Sequence, residues 1–137
     1  MIFARASLAF AFSSLASITL AQDLELVPLV DLPEDELVPQ LIYERCSAFY
    51  GAMRTRGLET DVPASILELV QSTEEQSQRF AIGLADDGEE ENVHGRIAAF
   101  EAAYLQNFRE TDTLVNQIDA PNRLFFADRA GCREAFF

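Results

Sequence analysis

The stretch EENVHGRIAAFEAAYLQNFRETDTLVNQI, residues 90–118, decides the fold class. Val93, Ile97, Phe100, Tyr104, Phe108, Thr111, Val115 and Ile118 recur at steps of three and four, the spacing of one face of an α-helix. Ala98, Ala99, Ala102 and Ala103 add intrinsic helix preference and let a neighbour approach closely. The pattern predicts a helix from about Glu90 to Ile118, with Gly95 weakening its first turn.

The segments on either side supply its partners. Ile66, Leu67, Val70, Phe80, Ala81 and Leu84 predict a helix over about Ala64 to Ala85, capped by Thr60 or Asp61 and started by Pro63. Its middle, Gln71 to Arg79, is polar throughout, so Thr73 and Ser77 continue the inner face as small polar residues. An earlier helix is expected from Val38 to Arg56, with Ile42, Cys46, Phe49, Tyr50 and Met53 on one face and Gly57 as C-cap. A fourth helix is expected to begin near Pro121 with Asp119 as cap, and to kink or end at Gly131 before Cys132. Residues 22–38, broken by Pro28 and Pro33, read as an irregular but apolar arm lying over a groove. Alternating strand patterns are almost absent, and the whole predicts an all-α bundle of about four helices forming one domain over residues 22–137.

Residues 1–21 read as a secretory signal peptide: Arg5, an apolar stretch from Ala6 to Leu20, and small residues at Thr19 and Ala21. Cleavage is expected after Ala21, and the protein is expected in a periplasm or outside the cell. In such a compartment Cys46 and Cys132 are expected to form a disulfide, tying the first helix to the C-terminal segment. The closing Phe136-Phe137 is expected to pack onto the bundle beside that bond.

Acids outnumber bases 23 to 10, every base is arginine, and the formal net charge is −13. Such a chain repels phosphate backbones, so nucleic acid is not an expected partner. Catalysis finds little footing. His94 is the one histidine, which leaves no nucleophile–histidine motif and half of a di-metal E-x-x-H arrangement at Glu91 and His94. Glu68 and Glu101 are expected off the apolar faces, and Glu44 and Glu68 are expected in solvent. No catalytic residue, metal site or cofactor is therefore expected. The expected function is a non-catalytic binding or accessory protein for a cationic protein or peptide, with Tyr43, Tyr50, Arg54, Arg56 and Arg79 as interface candidates. The rival is a small-molecule carrier, with a pocket between the second and third helices lined by Thr73, Ser77, Phe80, Phe100, Tyr104 and Phe108.

Overall fold

The computed structural model describes residues 24–116 and 122–136. The expected signal peptide, Asp119, Pro121 and Phe137 lie outside the described residues. The described chain is helical: α1 (Pro39–Glu59), α2 (Ala64–Leu84), α3 (Glu90–Glu110) and α4 (Arg123–Phe136). Two short 3-10 turns, Leu29–Asp31 and Glu34–Glu36, precede them. α1 lies antiparallel to α2 and α4 and parallel to α3, as the pairs Tyr43–Phe80 and Arg54–Glu74, Cys46–Cys132 and Phe49–Phe125, and Arg45–Tyr104 and Phe49–Phe108 establish.

The bundle is organised around α1 rather than around four equivalent helices. α1 packs along both α2 and α3, whereas α2 and α3 hardly meet. Every residue from Glu44 to Met53 is buried. The ring of Phe49 is at the centre, 5.4 Å from Tyr104, 5.8 Å from Phe108 and 5.6 Å from Phe125. These four aromatic side chains are fully buried, each contributing roughly 1.5–3 kcal/mol by removal from water. Cys46 and Cys132 are bonded, with Cα atoms 5.5 Å apart, which fastens α4 against α1.

A helix enclosed on all sides must also satisfy its charges. Arg45 does so by donating from Nη2 to Asp128 Oδ2 at 2.7 Å and to the Val27 carbonyl at 2.9 Å, and from Nε to the Tyr104 hydroxyl at 2.8 Å. The Tyr104 hydroxyl donates to Asp128, and Asp128 Oδ1 accepts the Leu29 N–H at 2.7 Å. One buried cluster thus joins α1, α3, α4 and the N-terminal arm, whose Leu29 is buried beside it. Burial, and then the Asp128 charge, hold the Tyr104 hydroxyl well above its ordinary pKa, so it stays a donor. Glu44, expected in solvent, is only 2% exposed and pairs with Arg96; the α1 face carrying it is covered by α3.

Helix ends depart from the sequence expectation in a consistent way. α1 runs past Gly57 to Glu59, and α3 stops at Glu110 instead of continuing toward Ile118. In both, an aspartate takes the left-handed conformation after the last turn: Asp61 at φ 55° and Asp112 at φ 50°. The following N–H closes back onto the helix, Val62 to the Gly57 carbonyl at 3.0 Å and Thr113 to the Phe108 carbonyl at 2.8 Å, the Schellman arrangement. Thr111 and Val115 therefore do not extend the α3 stripe. Pro63, without a side-chain cap, stands at the start of α2. Asn122 caps α4, its Oδ1 accepting the Phe125 N–H at 3.1 Å. α4 continues through Gly131 to Phe136 without the expected break, and Leu29 lies over Gly131 at ordinary van der Waals distance.

Candidate functional site

The up-down-up-down course brings the start of α1, the end of α2, the start of α3 and the end of α4 to one end of the bundle. There Gln78 meets His94 at 3.0 Å. The Tyr43 ring lies 5.1 Å from Phe80 and 5.5 Å from Phe136, and Phe80 and Phe136 are 6.0 Å apart. These three rings are only partly covered, and Val38 and Leu84 nearby are exposed. Around them stand two runs of exposed carboxylates: Glu34, Asp35 and Glu36 just before α1, and Asp86, Asp87, Glu89, Glu90 and Glu91 between α2 and α3. Local chemistry explains the second run, since Gly88 turns the chain at φ 83° and Glu90 and Glu91 occupy the positive first turn of α3.

Compensating cations are largely engaged elsewhere. Arg45, Arg54, Arg56, Arg96, Arg109 and Arg123 are all held in ion pairs. This decides the fate of two expected interface residues. Arg54 is bidentate on Glu74 at 2.7 and 3.2 Å. Arg56 reaches Asp112 at 2.9 Å and the Thr113 carbonyl at 3.0 Å, clamping the turn that ends α3. Tyr50 is buried beneath α4 and α2, Arg79 is exposed on α2, and Tyr43 belongs to the ring cluster. Phe136 was legible as an apolar terminus; its meeting with Tyr43 and Phe80 depends on three helix registers that no local pattern encodes.

The six residues expected around a pocket between the second and third helices are dispersed. Thr73 and Ser77 lie on the buried seam between α2 and α1, their hydroxyls donating to the Leu69 carbonyl at 2.9 Å and the Thr73 carbonyl at 2.7 Å. They satisfy themselves within α2, and their small size lets α1 approach. Tyr104 and Phe108 are fully buried in the core. Phe100 stacks beneath the Arg45 guanidinium, 5.6 Å from its centroid. Phe80 is 46% exposed in the ring cluster at the acidic end.

A groove of about 580 Å³ opens instead along α1, between α2 and α4. Tyr50 and Met53 form its floor; Ile66, Leu69, Val70 and Thr73 form the α2 wall. The α4 wall carries Arg129 and Arg133, and Val115 with Asn116 closes one end. No Asp or Glu borders it among the described residues. Burial raises the Tyr50 pKa, against the pull of Arg129 and Arg133, whose charges both reach its hydroxyl.

Glu101 on α3 lies within electrostatic reach of Glu74 on α2, beside Arg54. Glu101 sits against Gly51, its carboxyl within 3.0 Å of where a Cβ would be. Burial and then the Glu74 charge raise its pKa above the ordinary glutamate value. Among the described residues no group of three or more His, Cys, Asp and Glu side chains is placed to hold a metal ion, and no helix is long and apolar enough to cross a membrane. No protein-family model, curated protein or solved structure matches the chain.

Proposed function

We propose that this protein is an exported, non-catalytic binding protein whose acidic end engages a basic protein or peptide. The observation that carries the reading is the crowding of eight exposed carboxylates, Glu34 to Glu36, Asp86, Asp87 and Glu89 to Glu91, at one end of the bundle. Exposed carboxylates gather around a partly open aromatic cluster, while six arginines are spent on internal and surface pairs. Carboxylates steer a cationic partner and the rings of Tyr43, Phe80 and Phe136 offer it faces for cation–π and apolar contact. Export supplies the oxidising compartment that a bonded Cys46–Cys132 pair needs. The N-terminal residue of the native protein tests that part, Gln22 being expected.

The binding test is a titration of arginine-rich peptides, with and without an aromatic residue, against the oxidised protein at low and high salt. Affinity is expected to fall steeply with salt and to rise with the aromatic residue. Neutralising Glu89, Glu90 and Glu91 to Gln is expected to weaken it. Absence of binding at low salt, or equal affinity after neutralisation, sinks the proposal.

A further inference from the structure

The groove between α2 and α4 runs against the electrostatics of the rest of the molecule. The chain carries 23 acids and 10 arginines, yet the groove is bordered by two arginines and, among the described residues, by no acid. Arg129 and Arg133 are one helical turn apart on α4, so both point along the same wall. Arg133 is exposed and, among the described residues, takes part in none of the ion pairs. Its neighbour Arg129 already has a partner and adds field rather than a vacant donor. Opposite them, Leu69 is 66% exposed and leads down to Val70 and Met53. Ile66 to Thr73 on the facing wall spans two helical turns, about 10 Å.

From this geometry we infer that the groove is a binding site for a small amphipathic carboxylate. The anionic head sits at Arg133 under the field of Arg129, and a short acyl tail lies on Met53, Val70 and Leu69. The volume falls within the range of small-ligand sites, and the chemistry of the two walls fixes which end of the ligand goes where. The site is separate from the acidic end, so either can fail without the other.

Decanoate, decylamine and decanol, each below its aggregation concentration, are titrated into the oxidised protein. Binding is followed by calorimetry and by NMR of the Met53, Leu69, Val70 and Val115 methyl groups. Decanoate is expected to saturate and shift these methyls; decylamine is expected not to bind. R133Q is expected to weaken decanoate about tenfold, the scale of a lost charge-assisted contact. R79Q, an exposed α2 arginine outside the groove, is expected to leave affinity unchanged. L69D, which places a carboxylate on the rim, is expected to abolish binding, and its NMR spectrum reports whether the fold is kept. The inference is overturned if decanoate does not saturate, if decylamine binds as tightly, if R133Q has no effect, or if the shifts fall on the Tyr43, Phe80 and Phe136 rings instead.

Discussion

Arg45 and Asp128 are 83 positions apart, meet at 2.7 Å, and have side chains 4% and 0% exposed. Their immediate neighbours are the disulfide: Cys46 follows Arg45, and Cys132 lies one turn beyond Asp128. Two long-range links of different chemistry therefore close the same joint between α1 and α4, and the first also fastens the arm through Val27 and Leu29.

Removing one member of that pair strands the other, still charged, in a buried site. Asp128→Ala is expected to cost about 3–5 kcal/mol in urea unfolding. The double change Arg45→Met with Asp128→Leu should cost far less than the two single changes together. Additive costs would show that the pair does not act as a unit.

The disulfide closes a loop with a sequence separation of 86. In the chain-entropy account its loss costs about 4.6 kcal/mol. Thiol labelling of the denatured, unreduced protein is expected to find no free thiol. Two labelled thiols per chain would contradict the bond.

Glu101 gives a pH dependence of definite sign. Its native pKa is raised by burial and by Glu74, so the folded state holds the proton more tightly than the unfolded one. Stability from this group is present below the ordinary glutamate value and falls as pH climbs through the raised one. Glu101→Gln is expected to be more stable than the parent at about pH 7 and indistinguishable from it at about pH 3.5. An equal gain at both pH values would point to packing instead.

Helix ends offer two opposite tests. Asn122→Ala removes the α4 cap and the bonds from its Nδ2 to Asn107, Thr111 and Thr113, for an expected loss of about 1–2 kcal/mol. Asp61→Gly relieves a left-handed aspartate and is expected to add about 0.5–1 kcal/mol. A stability scan of both variants checks the signs.

The four helices and the disulfide were readable because each rests on local spacing or on a count of two. Ile97, Tyr104 and Phe108 stand where the three-and-four stripe put them, inside the core. What escaped was whatever depends on partners. Glu44 and Arg45 look like surface residues in any window of α1, and only Arg96 and Asp128, brought by other helices, make them buried. Thr111 and Val115 fit the stripe by spacing, but the left-handed Asp112 between them ends α3, and an aspartate announces that turn less clearly than a glycine. Thr73 and Ser77 were recognised as small and polar on an inner face; that they line a tight seam depends on how closely α1 comes. The groove had no sequence signature at all, since Leu69 and Arg133 become neighbours only through the common register of α2 and α4 against α1.

The exposed carboxylates of Glu34 to Glu36 and Asp86 to Glu91 share one end of the bundle, so they repel one another most strongly where salt is scarce, and added salt relieves that end by screening.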